Sequence, residues 1–203
     1  MKRRTFVRHA WFGLLGITGC IQSDTGNGNA ETFRGRSISI ADVDEIDEYQ
    51  EVEITPNVTQ SRISDDQPAK LTIQTVNTGE KRFFDYMSDG RHFNSDWGGD
   101  FSESVPGLIL LSSEREYTPE DGKWQYDPPD VDGPQTGIVI ESGEAVTNEY
   151  DVLDGPRGGY FPTGVHRFET RIRIQLYTSE GPVPGSTGRF TWGFAIEVTL
   201  PGK

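Results

Sequence analysis

The sequence predicts an all-β fold, an antiparallel β-sandwich of about seven to nine strands, on three observations. Apolar and polar residues alternate with a period of two through a series of short segments. Turn signals rich in Gly and Pro separate those segments, in a chain of 203 residues holding 24 Gly and 12 Pro. Beyond the N-terminus almost no stretch repeats with a helical period, so helices there are expected to be one-turn connectors at most.

The first segment, residues 1–19, reads as an export signal. Lys2, Arg3, Arg4 and Arg8 form a basic start without an acid. The apolar run Ala10 to Ile17 is about half of the ~20 residues that span a bilayer, so it does not read as a permanent transmembrane helix. The pair Arg3-Arg4 followed by Phe6 looks like a twin-arginine address. The run ends in Ile17-Thr18-Gly19-Cys20, which resembles a lipobox: an aliphatic residue, two small ones, and a thiol to take the lipid. Cys20 is the sole cysteine, so no internal disulfide accounts for it and lipidation does. Lipid contributes ~0.8 kcal/mol per buried CH₂, so two chains would hold the protein stably. The expected location is the outer face of the cell membrane, with the bilayer as a partner through Cys20.

Residues 20–34 are polar and small, with no periodicity, and are expected to be a flexible tether. Residues 35–203 carry the strands. Ser37 to Ile40 alternates. Val52, Ile54 and Val58 extend a second stretch, with an interruption expected at Pro56. Lys70 to Asn77 places Leu71, Ile73 and Thr75 on one face. Arg82 to Met87 is an aromatic-rich strand, and Gly107 to Leu111 is a short apolar run expected to be buried on both faces. Gly137 to Ile140 and Ala145 to Val152 follow. From Val165 to Leu176, Phe168, Thr170, Ile172, Ile174 and Leu176 face one way, and Arg167, Glu169, Arg171, Arg173 and Gln175 the other. The final strand, Arg189 to Leu200, aligns Phe190, Trp192, Phe194, Ile196, Val198 and Leu200. Residues 117–135 read as a long turn-rich loop around one short strand at Trp124 to Tyr126.

Charge sets the surroundings this fold suits. The chain has 19 Lys+Arg against 32 Asp+Glu, a formal net charge of −13. Loss of the signal removes four cations and no acid, leaving −17 on the remaining 184 residues. Only Lys70, Lys81, Lys123 and Lys203 then remain as lysines. Acids spread along a lysine-poor chain hold water and hydrated cations, and salt screens their mutual repulsion. This is the composition of a salt-adapted surface, and it argues against nucleic acid as a partner.

One region carries a family resemblance. Glu141-Ser142-Gly143-Glu144 opens a strand reaching Tyr150-Asp151-Val152, and after a Gly-rich gap comes Tyr160-Phe161-Pro162-Thr163-Gly164-Val165-His166-Arg167-Phe168. This order resembles a corner of immunoglobulin-like bacterial and archaeal surface domains, with Gly164 in the turn and Val165 to Phe168 entering the core. Together with Leu71 to Asn77 and Phe190 to Leu200 it is similar to the sandwich of proteinase-inhibitor-type domains. With its signal and acidic composition, the whole resembles haloarchaeal twin-arginine lipoproteins of unknown role. The resemblance covers about two-thirds of the mature chain. It implies an immunoglobulin-like sandwich and carries no activity, because its motifs specify a fold corner and fold does not imply function.

Residue chemistry adds few candidates. With only His92 and His166 beyond the signal and no second cysteine, no zinc site is expected. Asp127, Asp130 and Asp132, and Asp42, Asp44 and Asp47, have oxygen ligands for calcium but not the spacing of an EF-hand, and read as solvated surface. No cofactor is expected. His166 is expected to be a structural histidine, and no Gly-x-Ser-x-Gly elbow is present. Phe93, Trp97 and Phe101, among acids and glycines, form a candidate ligand loop for a sugar or a peptide side chain; capping one end of the sandwich is the competing role. Asn57-Val58-Thr59 is a sequon placing a glycosylation candidate at Asn57. The expected function is a non-enzymatic binding or structural role in the envelope, with an envelope protein or membrane complex as partner. The alternative is an extracellular-face hydrolase or proteinase inhibitor on the same sandwich.

Overall fold

The computed structural model describes residues 35–86, 107–114, 117–119, 123–126, 137–155 and 160–200. These residues form the expected all-β fold, two antiparallel sheets arranged as a sandwich. In chain order the strands are β1 (Arg36–Val43), β2 (Val52–Gln60), β3 (Arg62–Ile63), β4 (Ala69–Asn77), β5 (Arg82–Asp85), β6 (Leu108–Ser112), β7 (Ile138–Ile140), β8 (Glu144–Asp154), β9 (Gly164–Thr178), β10 (Gly181–Pro182) and β11 (Gly188–Thr199). Two of the eleven, β3 and β10, are two-residue pairings, which leaves nine longer strands. No helix occurs among the described residues.

One sheet has seven strands in the order β3-β1-β11-β9-β5-β7, with β10 paired to β9; the other has four, β2-β4-β8-β6. The long alternating segments lie centrally because they can pair on both edges. β9 pairs with β11 from Gly164↔Val198 to Gly188↔Ile174, and with β5 from Arg82↔Leu176 to Asp85↔Arg173. β4 pairs with β2 and β8 along its length.

The inward faces meet in one apolar core. Leu71 and Ile73 of β4 and Tyr150 and Val152 of β8 belong to it, with Phe168, Ile172 and Ile174 of β9 and Trp192, Phe194 and Ile196 of β11. Each of these large side chains, fully buried, contributes roughly 1.5–3 kcal/mol relative to exposure. Phe168 stacks on Phe194 at 5.3 Å, and Trp192 lies 5.7 Å from Phe194. All five residues of β6 are buried, as its unbroken apolar run predicts.

Three local readings need correction. Pro56 does not interrupt β2: it is buried within the strand and pairs in register with Ile73. β2 lies at the edge of its sheet, where a residue lacking an N–H is tolerated. Trp124 to Tyr126 is not a strand. It makes a single parallel bridge, Gln125↔Asp154, beside the end of β8. Core entry on β9 begins at Phe168, because Val165 is 65% exposed; Gly164, at φ 124°, has a backbone that side chains rarely adopt and sits at the strand's start.

Candidate functional site

The end of β8 gathers more chemistry than any other described part of the molecule. Val152, Leu153 and Asp154 are consecutively buried, which a strand with one wet face would not show. Both edges of the strand are paired there: β6 on one side, Leu108 opposite Asp154, and segment 123–126 on the other, through the parallel bridge Gln125↔Asp154. Trp124 O accepts from the Asp154 amide at 2.8 Å, and the Tyr126 amide donates to Asp154 O at 2.9 Å. Gly155 closes the strand against Gly107, where a Cβ would lie 2.5 Å from the Gly107 carbonyl oxygen. Only glycine fits that approach without a shift of backbone.

Asp154 is a buried carboxyl whose Oδ1 accepts from the Phe161 amide at 2.9 Å. Burial penalises the ionised form and pushes its pKa up to about 7, against which the Phe161 hydrogen bond works in the opposite direction. Phe161 is itself unusual: fully buried, with φ at +47°, a conformation that costs a bulky residue of order 1–3 kcal/mol. Its two peptide groups are held from opposite sides. Asp154 takes its N–H, and Arg36 Nε donates to its carbonyl at 3.2 Å.

Four aromatic side chains surround this latch. Trp124 is buried and donates Nε1–H to the Ser64 carbonyl at 2.8 Å. The Tyr160 hydroxyl accepts from the Trp124 amide at 2.9 Å, and burial raises the Tyr160 pKa. Tyr117 packs 6.1 Å from Trp124 and edge-on to Tyr126 at 5.7 Å, and its hydroxyl donates to the Gln125 carbonyl. Tyr117, Tyr126 and Tyr160 are each half-buried, so part of each ring faces outward from a rigid mount. The outcome is an aromatic surface at one end of the sandwich, with Asp65 exposed nearby. Such a surface can pack a flat or apolar ligand group at small entropic cost, because two-torsion rings already packed against the core lose little freedom.

The sequence-predicted residues fall differently. Arg3, Arg4, Cys20, Phe93, Trp97 and Phe101 lie outside the described residues, as do His92, Asp127, Asp130 and Asp132. Asn57 is exposed on the outward face of β2. His166 Nε2 donates to the Pro162 carbonyl at 2.8 Å, a packing role on β9. Asp42 and Asp44 face the Arg167 guanidinium, Asp42 at 4.0 Å. Among the described residues no group of three or more His, Cys, Asp and Glu is placed to hold a metal ion. A separate shallow cleft of about 300 Å³ is lined by Ser112, Ser113, Glu114, Thr147, Asn148 and Glu149, with no histidine beside its serines.

The tyrosine cluster is not legible in the sequence. Tyr117, Trp124 and Tyr126 are close in the chain, yet Asp154, Tyr160 and Ser64 join them only through folding. The one signal available is aromatic density in segment 117–126. Comparisons with family models, curated proteins and solved structures find no match to this chain.

Proposed function

We propose that this chain is a cell-surface lipoprotein of a salt-adapted archaeon, exported by the twin-arginine route and held by lipid on Cys20. Its sandwich does non-enzymatic binding work in the envelope, toward an envelope protein or membrane complex. The observation that carries the binding part is the rigid aromatic end: Tyr117, Tyr126 and Tyr160, half-exposed around the buried Trp124. Aromatic groups pre-fixed on a scaffold are what recognition surfaces are built from. Support for the anchored part is Arg3-Arg4 with the lone Cys20 after Ile17-Thr18-Gly19. Support for salt adaptation is the net charge of −13 with few lysines.

The test is crosslinking and affinity capture from native membranes at high salt, comparing the wild-type chain with Tyr117→Ala/Tyr126→Ala. The same discrete partner should be recovered with wild type and lost with the double variant while the far-UV spectrum stays unchanged. Equal recovery by both proteins would remove the tyrosine end from the binding reading.

A further inference from the structure

The outward face of β9 and β11 carries a second surface. Arg171 and Arg173 are both exposed and share one face of β9, two residues apart. Arg189 of β11 is exposed and stands directly opposite Arg173 in the register, while Thr191 stands opposite Arg171. Facing cross-strand residues have Cβ atoms about 5 Å apart, and like charges so placed repel. Arg173 is relieved by Asp85 of β5, Nη2 to Oδ2 at 2.7 Å. Arg171 and Arg189 have no ion pair among the described residues. Two guanidinium groups without an ion partner among the described residues therefore stand diagonally across β9 and β11, about 7–8 Å apart, on a chain of net charge −13.

Further along the same face lie two half-buried rings, Phe83 of β5 and Tyr177 of β9, 6.2 Å apart. Phe83 is fixed because it packs over Gly137, where a Cβ would meet its ring at 2.1 Å. The strip from Arg171 to Tyr177 spans seven residues of β9, about 20 Å from first to last. It is bounded: toward the other end of β9 the outward face turns acidic, with Glu169 and Glu197 exposed.

We propose that the outer-sheet strip formed by Arg171, Arg173 and Arg189 with Phe83 and Tyr177 is a docking surface for an acidic protein segment, one that sets two or more carboxylates beside an apolar side chain. Guanidinium groups bind carboxylates through paired N–H donors, and arginine and aromatics are the residues enriched where proteins meet. The short length of the strip selects this occupant. A nucleic acid, a sulfated glycan or an anionic bilayer extends past the strip onto Glu169 and Glu197 and a strongly negative molecule. A segment of a few residues does not. This surface is separate from the tyrosine end of the sandwich and does not depend on it.

The probe is a fluorescein-labelled octapeptide of alternating glutamate and leucine, titrated by anisotropy into the full chain at the lowest salt that preserves its far-UV spectrum. Heparin and phosphatidylglycerol vesicles serve as competing polyanions. Two guanidinium–carboxylate contacts predict that R171Q/R189Q weakens peptide binding by about tenfold or more, while R62Q, an exposed arginine on β3, leaves it unchanged. R189Q alone should give a smaller loss and serves should the double variant fail to fold. The proposal is overturned by absence of peptide binding at millimolar concentration, by equal losses in R62Q and R171Q/R189Q, or by binding that R171Q/R189Q leaves intact. Tighter binding of heparin or vesicles than of peptide would overturn it as well.

Discussion

Replacing Asp154 with Asn should make this protein more stable at neutral and alkaline pH, and by an amount that depends on pH. The carboxyl is buried and its pKa stands at about 7, against 3.8 for an unperturbed aspartate. Between those values the folded state keeps a proton that the unfolded chain has lost. Stability then falls as pH rises, by about 1.4 kcal/mol per pH unit where the difference is a full proton. The contribution is fully present below about 4 and gone once the pH has passed through about 7. The accumulated loss is about 4 kcal/mol, because that slope acts across the whole interval between the two values. Asn cannot ionise, and its Oδ1 can still accept from the Phe161 amide. Asp154→Asn should therefore match wild type near pH 4 and exceed it by about 4 kcal/mol at pH 8. Urea unfolding of both proteins at fixed high salt, from pH 4 to 9, measures the difference directly. Parallel stability curves over that range would refute the reasoning, because they would mean that Asp154 ionises as easily folded as unfolded.

Other outcomes follow from the same structure. Gly155→Ala sets a methyl group 2.5 Å from the Gly107 carbonyl oxygen, so the end of β8 must move from β6. A loss of about 1–3 kcal/mol in urea unfolding is expected, with faster amide exchange at Leu108 and Asp154. With a net charge of −13, the thermal midpoint should climb as salt rises from 0.1 to 2 M, both concentrations being roughly within and beyond the range where exposed charges still feel one another; a midpoint indifferent to salt would contradict the repulsion argument. Capture of a partner by wild type but not by Tyr117→Ala/Tyr126→Ala, set out above, probes the aromatic end.

Much of the fold was legible in the chain because its strands are long and one-sided. The alternation of Phe168, Ile172 and Ile174 with Arg167, Arg171 and Arg173 defines β9 in the chain itself, and Trp192, Phe194 and Ile196 define β11 in the same way. What alternation cannot convey is a strand's neighbour. Pro56 looks like a break until β2 is known to be an edge strand. The shift in register between Ile40 and Asp42 leaves no mark in the pattern. Sites are harder still, since they join residues distant in the chain. Asp154 is one acid among many in the sequence, and only burial by β6 and segment 123–126 sets it apart. The arginines of β9 were visible as an outward row, but Arg189 joins them only through its pairing with Arg173. The aromatic residues singled out from the sequence, Phe93, Trp97 and Phe101, lie outside the described residues, and the tyrosine cluster assembled by the fold is a different set.

The most direct test of the account concerns Cys20. Cells expressing the full chain should be fed a radiolabelled lipid precursor and separated into membrane and medium. The wild-type protein should carry the label and sediment with membranes, and Cys20→Ser should be unlabelled and found in the medium. An unlabelled wild type, or a Cys20→Ser protein that stays with the membrane, would contradict the lipid anchor and the surface role built on it.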